Sequence, residues 1–153
     1  MAHPVVGIVM GSESDREVMG EAEKLLDRFG IGYETVVSSA HRNPQKTRDY
    51  AQSAKDRGLK VIIAGAGMAA HLAGVIASET DLPVVGVPLK GSALNGLDAL
   101  YSMVQMPAGV PVGTMAIGRA GAKNAAVFAA QVLALSDEEV ARQLRQFKEE
   151  MAR

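Results

Sequence analysis

Cysteine is absent from all 153 residues of this chain. The protein therefore has no disulfide framework, no thiolate nucleophile and no thiolate metal site. A chain without disulfides fits a reducing compartment, and we expect a cytoplasmic location.

The chain also lacks an excess of either charge. It has 16 Lys and Arg residues against 17 Asp and Glu residues, and its formal net charge is −1. This balance offers no electrostatic case for nucleic acid or an anionic membrane surface, so any anion site must be local. The longest apolar runs are interrupted by Gly, Pro or His, and the first residues lack the features of a signal peptide. We therefore expect no nucleic acid and no membrane as partners.

Aromatic residues make up only 4% of the chain, although hydrophobic residues reach 48%. The core must therefore consist of Ala, Val, Leu, Ile and Met. Such small side chains let helices approach closely, or leave smooth apolar faces that need a partner subunit. The length predicts one domain over 1–153, with a core at about 5–133 and a C-terminal helix at about 137–151.

Apolar runs of strand length alternate with helical patterns along the whole chain. This alternation predicts a single-domain three-layer α/β/α sandwich with a parallel sheet, and five strands favour the flavodoxin-like order 2-1-3-4-5. We expect strands at 5–10, 33–37, 60–64, 82–88 and 110–117. We expect helices from about 15 to 29, at 44–57, at about 69–80, at 97–105, at 121–135 and from about 137 to 151.

The last helix is amphipathic and begins after the segment 136–139, Ser-Asp-Glu-Glu, which has the form of a capping box. Its apolar face carries Val140, Leu144, Phe147 and Met151. The helix either packs on its own domain or lies as an arm on another subunit, and the sequence favours neither.

Ligands of such sheets bind beyond the carboxyl ends of the strands. The loops after the first four predicted strands all open at that edge. They hold serines, a carboxylate, two histidines, an arginine and many glycines. This convergence, more than any single motif, predicts a binding site. The four loops are 11–15, 38–44, 65–71 and 88–96.

The loop 38–44, Ser-Ser-Ala-His-Arg-Asn-Pro, concentrates the most chemistry. The imidazole of His41 can accept and donate protons, and the Arg42 guanidinium offers donors that suit phosphate. Asn43 can cap the next helix, with Pro44 at its first position. Taken alone, the segment is equally typical of a solvated polar loop.

The loop 11–15, Gly-Ser-Glu-Ser-Asp, leads into a helix N-terminus that favours an anion. Ser14 has capping-box spacing to Glu17, so we expect Ser14 to cap the helix. Ser12 and Asp15 then face the ligand, the serine toward phosphate and the carboxylate toward sugar hydroxyls. The alternative is that Ser14 and Asp15 only cap the helix.

The segment 65–70 matches the dinucleotide pattern G-x-G-x-x-A but follows the third strand and lacks the downstream acidic residue. We interpret it as a glycine turn that lets the backbone approach a small ligand. His71, early in the third helix, lies beside this turn, which favours a site role over a structural one. No set of His, Asp and Glu has metal-ligand spacing, so we expect no metal.

Five ordered segments carry a family resemblance. They read Gly-Ser-Glu-Ser-Asp at 11–15, Ser-Ala-His-Arg at 39–42, Ala-Gly-Ala-Gly with Ala-Ala-His-Leu across 64–72, Leu-Asn-Gly-Leu-Asp at 94–98 and Val-Gln-Met-Pro at 104–107. Over about 5–133 the chain resembles the class I PurE family. Members of that family are 5-(carboxyamino)imidazole ribonucleotide mutases of purine biosynthesis. They are flavodoxin-like octamers with sites at subunit junctions and use no metal or organic cofactor.

The resemblance implies that His41 is the catalytic acid/base and that Ser12, Asp15 and Arg42 bind the ribonucleotide. It implies that the loop 92–96 comes from a neighbouring subunit. The substrate-binding residues expected are Gly11, Ser12, Ser14, Asp15, Ser39, Ala40, Arg42, Gly65, Ala66, Gly67, His71, Leu72, Ser92 and Leu94. No cofactor is expected, and the partners implied are a small ribonucleotide and further copies of the chain.

Two positions depart from the family pattern. Met68 stands where a third glycine is usual, and Ala73 where proline is usual; both alter the turn beside the imidazole ring. A related class carboxylates the aminoimidazole directly with carbon dioxide and tends to carry lysine at the position of Arg42. Arg42 and the segment 104–107 favour the mutase. A non-catalytic flavodoxin-like nucleotide-binding module is a further alternative.

Overall fold

A parallel five-stranded sheet lies at the centre of the molecule, which is a computed structural model describing residues 2–153. The order β2-β1-β3-β4-β5 confirms the predicted topology. In the central register, Val6 pairs with Tyr33 on one side and with Val61 on the other. The strands are β1 at Val6–Met10, β2 at Tyr33–Val37, β3 at Val61–Gly67, β4 at Val84–Leu89 and β5 at Gly113–Thr114.

Six α-helices alternate with the strands: α1 at Arg16–Arg28, α2 at Pro44–Ala54, α3 at Leu72–Glu79, α4 at Leu97–Val104, α5 at Arg119–Ala134 and α6 at Glu138–Met151. A single 3-10 turn, Glu13–Asp15, precedes α1. The predicted cap of α2 is confirmed, because the Asn43 side chain accepts from Lys46 N at 3.1 Å and Pro44 is the first helical residue. Helices α1, α5 and α6 cover one face of the sheet, and α2, α3 and α4 cover the other.

The core is mainly aliphatic, as the composition predicts, with Phe29 as a buried aromatic exception. In β3, Ile63 faces the layer of α1 and α5 while its neighbour Ile62 faces the layer of α2 to α4, because successive strand side chains point to opposite faces. Both isoleucines are fully buried. Helix α5 buries mainly alanines against the sheet, namely Ala122, Ala125, Ala126, Ala129 and Ala130, which lets the helix approach closely.

The predicted end of the third strand is wrong, because β3 runs through the glycine segment instead of turning there. Ala66 and Gly67 pair with Pro88 and Leu89 of β4. A Cβ atom at Gly65 would lie 2.8 Å from Met19 Cε and closer still to Sδ. The methionine of α1 therefore fills the space that a side chain at position 65 would need, and the turn follows at 68–70.

The fifth strand lies within the predicted run 110–117 but has only two residues. Pro111 has no N–H group with which to extend the hydrogen-bond ladder. The chain stays near β4 beyond the strand, since Met115 N donates to Gly86 O at 2.8 Å.

Helix α6 packs on its own domain, which decides between the two alternatives for the C-terminal helix. Val140 and Leu144 are buried, and the Phe147 ring meets Phe29 edge to face at 5.4 Å between centroids. The helix begins one residue later than the predicted box, because the Asp137 side chain accepts from the N–H groups of residues 139 and 140. Ser136 is therefore not the cap.

None of the helices within residues 2–153 has the length and apolar character needed to cross a membrane.

Candidate active site

A cavity of about 450 Å³ lies beyond the carboxyl ends of the strands, where the loops after β1, β2, β3 and β4 meet. The predicted convergence of these loops is therefore present. The lining residues are Gly11, Ser12, Ser14, Asp15, Ser39, Ala40, His41, Arg42, Ala66, Gly67, Met68, Ala69, Ala70, His71, Leu72 and Gly91.

Three residues of the predicted site do not line this cavity. Gly65 lies within β3 under Met19. Ser92 and Leu94 lie beyond Gly91 in the loop after β4, and their contribution to a neighbouring subunit's site stays a prediction. Conversely, Met68, Ala69, Ala70 and Gly91 line the cavity although they were not among the predicted site residues. Their position in the loops after β3 and β4 was the available signal.

The predicted cap at Ser14 is wrong, because Ser12 and Asp15 form the capping box. Asp15 Oδ2 accepts from Ser12 N at 3.1 Å, and Ser12 Oγ accepts from Ser14 N at 3.4 Å. The 3-10 turn starts the helical segment two residues earlier than expected, which moves the cap from Ser14 to Ser12. Both capping residues still line the cavity.

The Ser12 hydroxyl keeps its own proton available to donate, because its hydrogen bonds within the protein use it only as an acceptor. Ser14 Oγ lies 3.0 Å from Ser12 Oγ and donates to it. Since Ser12 Oγ accepts from both the backbone and the hydroxyl of Ser14, its own proton is available for a ligand oxygen. The serine pair is thus arranged to donate to an anion at this end of the cavity.

Asp15 is the acidic group of the cavity lining. Burial raises the pKa of its carboxyl above the ordinary value of 3.8, and the hydrogen bond from the Ser12 backbone opposes this shift. The half-buried carboxylate thus lacks part of the solvation it would have in water. Hydroxyl donors from a ligand would replace that solvation and return the pKa toward its ordinary range.

A buried anchor fixes the start of the loop that carries His41. Ser38 Oγ and Thr47 Oγ1 share a hydrogen bond of 2.7 Å, and both residues are buried. The Ser38 backbone N–H donates to Met10 O at 2.9 Å. Ser38 therefore attaches the loop to α2 and β1 and does not serve the cavity.

The following residues form a tight turn that presents His41 and Arg42 to the cavity. Ser39 Oγ accepts from Arg42 N at 3.1 Å, and Asn43 N donates to Ser39 O at 2.9 Å. The backbone of Arg42 is thus held while its side chain is exposed. Among residues 2–153, no carboxylate pairs with the Arg42 guanidinium, so its donors are available for a ligand.

His41 and His71 are in direct contact. Nε2 of His41 lies 2.6 Å from Nδ1 of His71, and the rings stand at 84° with centroids 4.6 Å apart. This hydrogen bond requires a proton on one of the two facing nitrogen atoms and none on the other. The pair therefore holds one proton between its rings, an arrangement suited to proton transfer.

The turn from β3 into α3 positions His71. Ala70 N donates to Met68 O at 2.8 Å, and His71 N donates to Ala69 O at 2.7 Å. His71 lies immediately before α3, not inside it as expected. Met68 has a φ of 58°, in the left-handed region that favours glycine, and this residue redirects the chain out of the strand.

The donor set of the cavity does not form a metal site. Within residues 2–153, no three His, Cys, Asp or Glu side chains are grouped closely enough to hold a metal ion.

Comparisons with known proteins identify the family of this chain. The AIR carboxylase family model matches residues 5–153. A protein of Thermotoga maritima named N5-carboxyaminoimidazole ribonucleotide mutase is 55% identical over 150 residues, 98% of this chain and 86% of that protein. One of the same name from Vibrio vulnificus is 58% identical over 145 residues, 95% of this chain and 90% of its own length. The crystal structure of Treponema denticola PurE matches 97% of this chain and 92% of its own, with a TM-score of 0.87 and 29% identity. The chain belongs to the AIR carboxylase family.

Proposed function

We propose that this chain is an N5-carboxyaminoimidazole ribonucleotide mutase, an isomerase of de novo purine biosynthesis. It moves the carboxylate of its substrate from the exocyclic nitrogen to ring carbon 4, giving 4-carboxy-5-aminoimidazole ribonucleotide. The observation that carries the proposal is the hydrogen-bonded pair of His41 and His71 in a cavity that also presents Arg42, Ser12 and Asp15. The names of the related proteins support the same reaction.

The reaction needs one group that first gives a proton and then takes one back. When the bond between the exocyclic nitrogen and the carboxyl carbon breaks, its electron pair stays on nitrogen, which takes a proton from His41. Carbon dioxide is released, and ring carbon 4 attacks it to form the new carbon–carbon bond. The proton of carbon 4 returns to His41, so the enzyme ends as it began. His71, bonded to His41, fixes the orientation of the ring.

The charged end of the substrate accounts for the remaining polar groups of the cavity. Arg42 and the Ser12 hydroxyl supply donors for the phosphate, and Asp15 accepts from the ribose hydroxyls. Binding at these groups, remote from the reacting atoms, holds the imidazole against His41. The small residues Ala66, Gly67, Ala69 and Ala70 let the imidazole ring approach the backbone and leave little room for water beside the released carbon dioxide.

The proposal includes assembly into a homo-octamer in the cytoplasm. An exposed apolar row on and before α4 supports self-association: Leu94, Leu97, Tyr101 and Val104. The last three follow one another at helical spacing and share a face. Burying this row against a second copy would carry the loop 92–96 toward a neighbouring cavity, where Ser92 and Leu94 would complete the site.

An ultraviolet assay of carboxyaminoimidazole ribonucleotide conversion, run with and without added bicarbonate, tests the proposal. The mutase converts this substrate at a rate independent of bicarbonate. A direct carboxylase would instead act on aminoimidazole ribonucleotide and require carbon dioxide or bicarbonate. A binding module without catalysis would bind the ribonucleotide. It would leave the absorbance of both carboxyaminoimidazole ribonucleotide and aminoimidazole ribonucleotide unchanged.

A further inference from the structure

Met68 has a backbone conformation that local energetics disfavour. Within residues 2–153, only Met68 and Asn95 among the non-glycine residues have a φ in the left-handed region, 58° and 54°. An L side chain is strained there relative to glycine. The side chain of Met68 is also 60% exposed, so burial in the core does not offset the strain. Neither backbone preference nor core packing accounts for a methionine at this position.

The Met68 side chain lies at the mouth of the cavity, where two loops approach each other. The residue lines the cavity three positions before His71. Across from it, Gly91 opens the loop after β4, and a Cβ atom there would lie 4.0 Å from Met68 Cγ. The Met68 side chain is therefore close to a part of the loop after β4, at Gly91, that carries no side chain of its own.

We propose that Met68 is an apolar cover that retains carbon dioxide during the reaction. This inference rests on the proposed function and concerns the interval between the two bond changes described above. Released carbon dioxide has no N–H or O–H group to donate to Asp15, and as an uncharged molecule it accepts only weakly from Arg42. The shape and apolar contacts of the cavity therefore do most to keep it beside ring carbon 4. An unbranched, polarisable thioether adapts to a small apolar molecule without adding a polar group.

Isotope retention tests this role directly. The substrate is labelled with ¹³C in its carboxyl group, the buffer contains unlabelled bicarbonate, and the label in the C4-carboxylated product is measured. The unmodified protein should retain most of the label. Met68→Ala should lose about tenfold more label, the lower end of what one methylene group in an apolar pocket contributes to discrimination. Met68→Leu should stay close to the unmodified protein, because it keeps the apolar bulk.

Two further variants separate this role from loss of folding. Met151 is 64% exposed at the end of α6, outside the cavity lining, so Met151→Ala should leave label retention unchanged. Met68→Gly removes the backbone strain together with the side chain, and its thermal midpoint should equal or exceed that of the unmodified protein. It should nevertheless lose label as Met68→Ala does.

The results that overturn the inference are distinct. If Met68→Ala and Met68→Gly retain as much label as the unmodified protein, Met68 does not hold carbon dioxide. Equal loss of label from all variants, or loss in Met151→Ala, also contradicts the role. If the unmodified protein fails to convert the labelled substrate at all, the proposed mutase function itself fails, and the role of Met68 falls with it.

Discussion

At the scale of single residues, the hydrogen bonds that the protein makes to itself determine which groups remain for a substrate. Ser12 accepts from Ser14 twice and keeps its own proton for a ligand. Ser39 holds the backbone of Arg42 and leaves the guanidinium exposed. His41 has its Nε2 atom against His71. Residue types could be predicted from the loop sequences, but these pairings depend on distances between loops that no spacing along the chain encodes.

Removing the Arg42 guanidinium should weaken substrate binding more than turnover. Hydrogen bonds to charged groups contribute about 1.5–3 kcal/mol, so Arg42→Ala should raise KM by roughly 10- to 100-fold. Arg42→Lys keeps the charge but loses the planar guanidinium fork. Its KM should lie between that of the unmodified protein and that of Arg42→Ala. Steady-state kinetics measures KM and kcat of each variant. An unchanged KM in Arg42→Ala would remove the phosphate role from this residue.

Replacing the Asp15 carboxylate should stabilise the free protein while weakening its function. Burial raises the pKa of Asp15, so the ionised form costs stability at neutral pH, and this cost disappears as pH falls through the raised pKa, above 3.8. Asp15→Asn still accepts from Ser12 N. Its thermal midpoint should therefore exceed that of the unmodified protein at pH 7, and the difference should shrink as the pH is lowered.

The same variant should show a higher KM at neutral pH, because a neutral amide accepts from ribose hydroxyls less strongly than a carboxylate does. Thermal denaturation across a pH series, paired with kinetics at pH 7, makes the comparison. A lower midpoint for Asp15→Asn at pH 7 would contradict the assignment of the burial cost to this carboxyl.

At the scale of elements, strand order and most helix positions could be predicted, because apolar periodicity and capping residues are local signals. The span of β2, the first residue of α2 and the first residue of α4 agree with expectation. The end of β3 could not be predicted, because Ala66 and Gly67 continue the strand by pairing with β4, and Gly65 is needed for contact with Met19 of α1. Met19 and Gly65 are 46 positions apart in the sequence, so no local pattern indicates their contact. The glycines at 65 and 67, considered alone, indicate a turn.

Adding a methyl group at Gly65 should therefore destabilise the fold. Gly65→Ala places a Cβ atom 2.8 Å from Met19 Cε, and overpacking a full core costs about 1–3 kcal/mol. The matched control is Gly20→Ala in α1, where no atom lies within 4 Å of the added Cβ. That change should instead add about 0.5–1 kcal/mol of helix stability.

Urea denaturation measures the free energies of unfolding of Gly65→Ala and Gly20→Ala. In a Met19→Ala background, the cost of Gly65→Ala should shrink, because the added methyl group then enters the space that the methionine left. A cost of the same size in both backgrounds would show that Met19 does not govern this position.

At the scale of the whole molecule, one chain brings together the two histidines, the arginine and the carboxylate in one cavity, but not Ser92 or Leu94. In the proposed assembly, the roles of these two residues depend on a second copy of the chain, which a single chain does not contain. Helix α6 illustrates the opposite outcome. Its apolar face was compatible with a partner, yet it packs against Phe29 and α5 of its own domain.

A charge in the apolar row of α4 should disrupt the proposed assembly. Tyr101 is exposed near the middle of that row. Tyr101→Glu should give a smaller particle in light scattering with an unchanged circular dichroism spectrum, because burying an unpaired carboxylate at an interface is costly. Catalytic activity should fall together with particle size, since the loop 92–96 would leave the neighbouring site. Tyr101→Phe, which keeps the apolar ring, should assemble and turn over normally. An intact, active assembly in Tyr101→Glu would exclude this face as the interface.

The most direct measurement compares substrate binding and turnover in His41→Asn. Asparagine retains hydrogen-bonding capacity beside His71 but cannot exchange a proton near neutral pH. Isothermal titration should give a dissociation constant within about threefold of the unmodified protein, while the isomerisation rate falls by about 10³-fold, within the usual range for a lost acid/base group. A rate close to that of the unmodified protein would show that His41 does not carry the proton, and the proposed mechanism would be wrong.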